Sequence, residues 1–519
     1  MYEGLIMLKK RCYSILAVIL IMSLVLSGCS DTGDISEEAE NTKAIVLEMS
    51  IPSTFNPVMV ENKSIRDALS LCYEPLFELN EKMQPVGVLA ESAVVSDDCM
   101  SAIVKLKDSI LWHDGIKATS ADVVHTVNYI KSNPSSPYYG CVKNIEEVVS
   151  IDPLSMKIVL AKPYAQIVQS LYFPIIAAHT DNVEEEILGT GPYAFDSYAE
   201  AVALNLRKND KWHGGDALCA NVVVKVVRDD EAAVSAFNTG SINTVTSNSF
   251  DLENSTPKLN SKLTQYPSLQ YEFIMFNHNR SRLSSPTVRA AISGAIDRNE
   301  IAKDSYSDAA MPANTPIHPA SAVMAESSVG SQYNLSAASE TLFLEGYSMN
   351  EATGLLQNER GEKLSFKLLV NKDNQSRVKA AYKLASQLFM AGIEVNITEL
   401  PFEKYLSEIK SGNYDAYIGG VTLSNLYDYE FFFTVQSGLM PTDYVSDPLT
   451  AAMQAIAMSP SDGALSTALV SFDEVFQREQ PLCGLVFKND TLLTSDAVTG
   501  KIAPCPGAPY TNIAEWNIR

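Results

Sequence analysis

Short β-rich runs alternate with helical segments along most of this chain, and this pattern constrains its fold more than any other feature. The β-rich runs read AIVLEMS, AIVKLK, MKIVLA, LNLRK, NVVVKVV, YEFIMFN and LSFKLLV. Helical patterns cover residues 120–131, 286–303 and 375–391. The alternation predicts an α/β protein with more than one sheet. Thr119 to Asp122 would give the first of these helices a polar cap and an acidic first turn.

The N-terminus has the three parts of a secretory signal. Basic residues 9–11 precede an apolar run from Ile15 to Leu26, and small residues follow it. The run is shorter than the roughly 20 apolar residues of a membrane span, although a short membrane anchor with an incidental Cys is an alternative. Its end, LSGC, resembles the lipobox of bacterial lipoproteins, in which the Cys is lipidated and the signal is cut just before it. The resemblance implies a signal peptide over residues 1–28 and a lipid on Cys29.

Composition and charge narrow the class of protein. The 519 residues are 46% hydrophobic and 19% charged, which is typical of a folded chain and, at this length, of two to four domains. The formal net charge is -23, and removal of residues 1–28 would make it -25. Such a chain would be repelled by nucleic-acid phosphates and by anionic lipid, so membrane contact would come from the acyl anchor. Residues 29–43 are polar and acidic, which predicts a flexible tether.

Six cysteines remain once Cys12 and the proposed anchor are set aside. They have no CxxC spacing, so neither a redox motif nor a zinc site is indicated. One or more pairs could form disulfides in an exported protein, with Cys483 and Cys505 the first pair to test, and buried free thiols are the alternative. The six are Cys72, Cys99, Cys141, Cys219, Cys483 and Cys505.

The order of several short motifs resembles that of the extracytoplasmic solute-binding proteins of oligopeptide, dipeptide and nickel ABC importers. The shared order, more than any one motif, supports the resemblance, and it extends over nearly all of the chain after the proposed signal. The motifs are, in order, SIPSTFNPV, CYEPLFELNEKMQPVGVLAES, LWHDGIKATSADVV, GTGPYAF, RKNDKWHGG, AFNTGSIN, MFNHN, RAAISGAIDR and NYDAYIGG.

The resemblance implies a two-lobed periplasmic-binding-protein-like fold of the large, three-subdomain type. Lobe I would contain residues 44–271 and 482–519, with residues 63–187 as an additional subdomain. Lobe II would contain residues 272–481. Two crossing segments, near YEFIMFN and near REQPLCGLVF, would form a hinge about which the lobes close on a ligand.

The resemblance also implies a function. The protein would be a receptor, not an enzyme, that captures oligopeptides in the cleft between the lobes and delivers them to an ABC permease. It would act outside the cytoplasm as a monomer, anchored to the cell membrane through Cys29, without cofactor or metal. A receptor of the same fold for a nickel chelate, a sugar or a modified peptide is one alternative. An exported hydrolase or a cell-wall interaction protein is another.

The resemblance implies a residue that anchors the ligand, located just after the Gly-Gly end of one strand. In peptide-binding members of the family, an Asp in a Trp-x-x-Asp pattern pairs there with the α-ammonium of the ligand. This chain reads GGVTLSNLYD at residues 419–428. An ungapped match puts Val421 at the Trp and Ser424 at the Asp, so the charged anchor is missing or displaced. Asp428, beside Tyr427, would replace it if the loop is longer.

Three other residues are candidates for the cleft because of where they lie in the sequence. Ser53 and Phe55 follow the first strand, and Asn277 lies at the proposed hinge. Each could equally well serve the fold.

Three motifs that suggest chemistry have structural explanations. Residues 112–115, WHDG, place His beside Asp, but they predict a tight turn with Gly at positive φ and Asp114 capping local amides. Residues 189–192, GTGP, lack the Gly-Lys-Ser/Thr ending of a phosphate loop and predict a turn. Arg289, Asp297 and Arg298 are predicted to share one helix and an ion network. The sequence contains no GxSxG, HExxH or kinase-type loop.

Overall fold

The computed structural model describes residues 43–180, 182–184, 186–247, 260–323, 333–423 and 427–519. The predicted signal, Cys29 and the tether up to residue 42 lie outside these ranges. Residues 44–519 form one compact unit, so the predicted lobe boundaries remain predictions. Within the described ranges, no helix is both long enough and apolar enough to cross a membrane.

The described chain is a mixture of strands and helices. The strands are β1 (Ala44–Met49), β2 (Phe77–Leu79), β3 (Pro85–Gly87), β4 (Ala90–Val95), β5 (Ser101–Leu106), β6 (Ile145–Asp152), β7 (Ser155–Leu160), β8 (Tyr193–Ala199), β9 (Ala203–Lys208), β10 (Asn221–Val226), β11 (Thr244–Ser247), β12 (Ser261–Phe276), β13 (Ala310–Pro312), β14 (Ser348–Asn350), β15 (Leu355–Gln357), β16 (Ser365–Asn371), β17 (Glu394–Leu400), β18 (Ala416–Thr422), β19 (Leu482–Ser495), β20 (Val498–Gly500) and β21 (Trp516–Ile518). The α-helices are α1 (Lys63–Leu69), α2 (Ser120–Ser132), α3 (Tyr139–Val142), α4 (Asp230–Asn238), α5 (Pro286–Gly294), α6 (Arg298–Tyr306), α7 (Leu335–Leu344), α8 (Gln375–Met390), α9 (Phe402–Lys410), α10 (Asp447–Ala457) and α11 (Asp462–Glu479).

Three sheets of four or more strands organise the described chain. The first has the order β1-β10-β9-β8, with β1 parallel to β10. The second is an antiparallel sheet of order β4-β5-β7-β6. The third has the order β11-β19-β12-β18-β16-β17, with β13 also paired to β19. The prediction of an α/β protein with more than one sheet is confirmed.

Two long strands run through the third sheet. β12 has 16 residues and β19 has 14, and they pair antiparallel from Ser261 opposite Ser495 to Met275 opposite Leu482. β11 pairs with the C-terminal part of β19, whereas β18 pairs with the C-terminal part of β12. YEFIMFN and REQPLCGLVF, the two predicted crossing segments, therefore lie side by side at the paired ends of these strands.

The apolar run in β12 is buried on both faces. Ile274 and Phe276 belong to a core that includes α5, α6 and α8, whereas Phe273 and Met275 belong to a core that includes α10 and α11. Successive side chains of a strand point to opposite faces, so helices on both faces require an uninterrupted apolar run. This explains why the sequence here does not alternate with polar residues.

Two of the three predicted helices are confirmed, and one is wrong. α2 begins with the predicted cap, in which the Thr119 N–H donates to Asp122 Oδ2 at 2.7 Å. The predicted helix over 286–303 is broken instead, since α5 ends at Gly294 and α6 begins at Arg298. Asp297 accepts the N–H groups of the first turn of α6, as a helix cap does.

The predicted ion network between these helices is also wrong. Arg289 is 1% exposed and Arg298 is 5% exposed, and both donate mainly to backbone carbonyls, such as those of Gln480 and Gly484. No ion pair joins either arginine to Asp297 in the described part of the chain. Arg298 therefore fastens the break between the helices to the start of β19, whereas Arg289 joins the start of α5 to the end of α11.

None of the six cysteines in the described chain forms a disulfide, and all six are buried. The suggested Cys483–Cys505 disulfide is therefore not formed. The thiol of Cys483 lies between Ser293 and Arg298 within the core around α5 and α6. Cys505 lies in a separate turn, where it exchanges backbone hydrogen bonds with Ala508.

Candidate functional site

A cavity of about 1160 Å³ lies beside α1 and extends to the C-terminal segment. Its wall combines residues between Arg66 and Leu79, Gly87 and Val88, the loop 212–218 after β9, and residues 506–515. Leu269 of β12 also lines it, and the carbonyl of Leu269 accepts the N–H of Leu423, just before the predicted anchor. Five aromatic side chains contribute to the wall: Tyr73, Tyr138, Tyr172, Trp212 and Tyr510.

A buried carboxylate joins three segments of this wall. Glu74 accepts hydrogen bonds from Thr190 Oγ1 at 2.9 Å, from Trp212 Nε1 at 2.9 Å and from His213 Nε2 at 3.0 Å. The Glu74 and His213 side chains are each 7% exposed. Because a buried carboxylate is costly unless donors surround it, this set fixes the three segments relative to one another.

Glu74 and His213 were missed by the reasoning from sequence. Their motifs, YEPL and KWHGG, were recognised, as was GTGP with Thr190, but nothing in the sequence linked them. The only available signal was that all three motifs carry a polar or charged side chain next to residues with turn propensity.

His113 holds the GTGP segment in place. The backbone N–H of His113 donates to the Gly189 carbonyl at 2.9 Å, and the ring Nε2 donates to the Gly191 carbonyl at 3.1 Å. Its Nδ1 accepts the Gly189 N–H at 3.3 Å, which requires a neutral ring, and burial lowers the pKa of His113. A Cβ on Gly189 would lie 1.8 Å from the Cys72 carbonyl oxygen. The glycine thus permits close backbone packing.

The WHDG segment forms the predicted tight turn. Gly115 has a φ of 90°, and Asp114 Oδ1 accepts the Ile116 N–H at 2.8 Å. The other carboxylate oxygen of Asp114 contacts His179 Nε2 at 2.9 Å. The turn and these structural contacts explain the motif without a catalytic role.

The charges around the cavity differ in how well they are paired. Asp67 contacts Lys63 Nζ at 2.7 Å, and that lysine also lies 3.5 Å from Asp490. Burial is the main cause that raises the pKa of Asp67, and Lys63 opposes it. Burial, with a contribution from the charge of Glu74, raises the pKa of Glu78 to about 7, and Lys107 opposes the shift.

The predicted anchor region is partly described. Ser424 lies outside the described residues. The Asp428 carboxylate contacts Lys143 Nζ at 2.7 Å, and the Tyr427 hydroxyl lies 2.9 Å from Ser321 Oγ. Asp428 thus has an ammonium partner from the chain itself, and a ligand role for it stays a prediction.

The other predicted site residues lie in separate surroundings. Asn277 is 3% exposed and donates to the carbonyls of Gly412 and Tyr414, which fastens the turn before β18. Phe55 packs edge-to-face on Tyr198, with ring centroids 4.8 Å apart, and Ser53 is exposed. None of the five predicted residues that the structure describes lines the large cavity.

No three His, Cys, Asp or Glu side chains in the described ranges are grouped so that they could hold a metal ion. The arrangement at the cavity is that of a binding site, with an aromatic wall, a fixed polar network and charged side chains of both signs.

Comparisons with known proteins agree with this description. A family model described as bacterial extracellular solute-binding proteins, family 5 middle, matches residues 84–439. The oligopeptide-binding protein AppA of Bacillus subtilis is 24% identical over 547 aligned positions, covering 98% of this chain and 99% of AppA. The glutathione-binding protein GsiB of Escherichia coli K12 is 25% identical and covers 82% of this chain and 85% of its own.

Solved structures show the same fold. NikZ from Campylobacter jejuni, in complex with Ni(L-His), superposes with a TM-score of 0.67 at 22% identity, covering 92% of this chain and 99% of NikZ. The fold is therefore the two-lobed fold of periplasmic binding proteins, as the motif order predicted.

Proposed function

Because the chain belongs to the bacterial extracellular solute-binding proteins of family 5, we propose that it captures oligopeptides and delivers them to the permease of an ABC importer. The names of AppA and GsiB, an oligopeptide-binding and a glutathione-binding protein, support a peptide as the solute. AppA also matches nearly end to end.

The large cavity, whose lining residues all belong to the proposed lobe I, is the single observation that carries the proposal. Its volume of about 1160 Å³ is above the range of roughly 300–1,000 Å³ that holds a drug-sized ligand. A short peptide would fill such a space. Aromatic walls contact peptide side chains of many kinds, which suits a receptor that accepts more than one sequence.

Closure of the proposed lobe II against lobe I is also part of the proposal, although lobe I alone lines the cavity. Lys143 contacts Asp428 at 2.7 Å, and the Gln166 side chain donates to the Ser459 carbonyl at 2.8 Å. Lys162 also contacts Glu430. These contacts join residues 143–166, in the proposed lobe I, to residues 428–459, in the proposed lobe II. They support an arrangement in which the lobes meet at this edge.

We also propose that the mature protein is a monomer held at the outer face of the cytoplasmic membrane by a lipid on Cys29. The basic, apolar and small-residue parts of residues 9–29 support the anchor. Cys29→Ser should abolish metabolic labelling with palmitate and release the protein from the membrane fraction. Retention of the label would contradict the anchor.

Thermal unfolding tests the choice of solute. A ligand present at 100 times its Kd should add about 2.7 kcal/mol to the free energy of unfolding, so a pool of peptides with two to nine residues should raise the melting temperature. A nickel–histidine chelate serves as the matched probe for the alternative receptor. A response to the chelate and to no peptide would overturn the proposal in favour of that alternative. No response to either would contradict both.

A further inference from the structure

Glu78 differs from the other buried or half-buried carboxylates of the cavity. It lies in β2, opposite Val86 of β3, and its half-buried side chain lines the cavity. Within the described part of the chain, its carboxylate has no hydrogen-bond donor and no ion-pair partner. It therefore faces the cavity without a direct partner, and the charge of Lys107 acts on it only from a distance.

The other carboxylates that line the cavity are either bound by donors or exposed to solvent, as Asp216 and Glu515 are. Glu74 accepts from three donors, and Asp67 is paired with Lys63 at 2.7 Å. Lys107, the cation that acts on Glu78, donates instead to the Gly87 carbonyl at 3.2 Å. Among the described residues that line the cavity, Glu78 is thus the half-buried carboxylate without a direct partner.

Such an arrangement is costly unless a ligand completes it. A carboxylate withdrawn from water loses hydration, and a cation that enters the cavity would restore the lost interaction. The rings of Tyr73, Trp212 and Tyr510 line the same cavity. Aromatic faces attract ammonium and guanidinium groups, so the wall offers such a group a second source of stabilisation.

We propose that Glu78 receives an ammonium or guanidinium group of the bound solute, and that the receptor prefers basic peptides to neutral ones. This inference rests on the proposed function, since it names the class of peptide that the cavity takes.

The test compares peptides that differ only in charge. One set consists of alanine hexapeptides with a single Lys at each position in turn, and the other has norleucine at the same positions. Titration calorimetry should show at least one Lys peptide binding about tenfold more tightly than its norleucine partner. Glu78→Gln should reduce that ratio to about one. Glu81→Gln, an exposed residue of the same hairpin that does not line the cavity, should leave the ratio unchanged.

The unfolding midpoint of the Glu78→Gln variant shows whether it is folded. Glu78→Gln should not lower the unfolding midpoint, because it removes a carboxylate that has no partner. Equal affinity for Lys and norleucine peptides in the unmodified protein would overturn the inference and leave peptide binding intact. So would a preference for Lys that survives Glu78→Gln.

Binding of arginine amide and of spermidine distinguishes the proposed role of Glu78 from the proposed binding of peptides. If no hexapeptide binds but these cations do, and Glu78→Gln abolishes their binding, the role of Glu78 stands and the peptide function fails. If no peptide and neither cation binds, the role of Glu78 is overturned as well.

Discussion

Replacement of Arg377 should destabilise the protein more than replacement of an exposed arginine. Arg377, in the first turn of α8, donates through Nε to Glu272 Oε2 at 2.6 Å and through Nη2 to Oε1 at 2.9 Å. The two side chains are 15% and 5% exposed. The pair is therefore bidentate and largely withdrawn from water.

The expected loss in free energy of unfolding arises because the Glu272 carboxylate would stay buried without its partner. Removing one partner of a buried pair typically costs about 3–5 kcal/mol, because the other charge stays buried without compensation. Among the described residues, the hydrogen-bond contact left to the Glu272 side chain would be the long one to the Tyr306 hydroxyl at 3.5 Å. Since Arg377 is partly exposed, water can reach the site, and we expect the lower end of that range, about 3 kcal/mol.

Urea unfolding of Arg377→Met measures this cost. Arg228→Met is the matched control, because Arg228 is 80% exposed in its pair with Asp229 and should lose less than about 0.5 kcal/mol. The double variant Glu272→Leu/Arg377→Met should be more stable than Arg377→Met alone, since no charge is orphaned. A loss below about 1 kcal/mol for Arg377→Met, or a double variant that is less stable than the single one, would refute this reasoning.

Three further predictions concern other contacts. A double-mutant cycle on Lys143 and Asp428 should give a coupling of about 0.2–1 kcal/mol that falls with salt, since Lys143 is 40% exposed; zero coupling at low salt would contradict the ion pair. Burial lowers the pKa of His318 to about 4, below an unfolded value near 6.5, so its contribution to stability is lost as pH falls from 6.5 towards 4. Between pH 7 and pH 4.5 the unmodified protein should lose about 2–3 kcal/mol more than His318→Gln in chemical unfolding, and equal losses would show that His318 is not buried neutral. Gly189→Ala should cost at least about 2 kcal/mol, because its Cβ would lie 1.8 Å from the Cys72 carbonyl oxygen; an unchanged unfolding midpoint would mean that the close packing is absent.

Sequence patterns predicted the elements of the fold better than their ends. The run from Tyr271 to Phe276 predicts a strand whichever way it is packed, because both faces of β12 are buried. The break at Asp297 was not predicted, because the apolar periodicity continues from α5 into α6 and gives no sign that Asp297 caps a new helix. A side chain that bonds to local backbone can end a helix whose pattern would otherwise continue.

Contacts between distant segments could not be read from the sequence. Glu74 and His213 are 139 residues apart, and Glu272 and Arg377 are 105 residues apart. Gly420 shows how such a contact leaves a trace, because a Cβ there would lie 2.3 Å from Arg377 Nη2 and 2.5 Å from Glu272 Oε1. The Gly-Gly motif was predicted to end a strand, but β18 continues to Thr422, and the second glycine makes room for this charge pair.

Native mass spectrometry with a mixed hexapeptide pool tests the central claim, that this protein is a receptor for peptides. At a peptide concentration of about 1 mM, even an association worth roughly -4 kcal/mol would leave half of the protein occupied. We predict a complex with one peptide per protein chain, whose peptide can be released and sequenced in the gas phase. A spectrum that contains only the free protein at this concentration would contradict the claim.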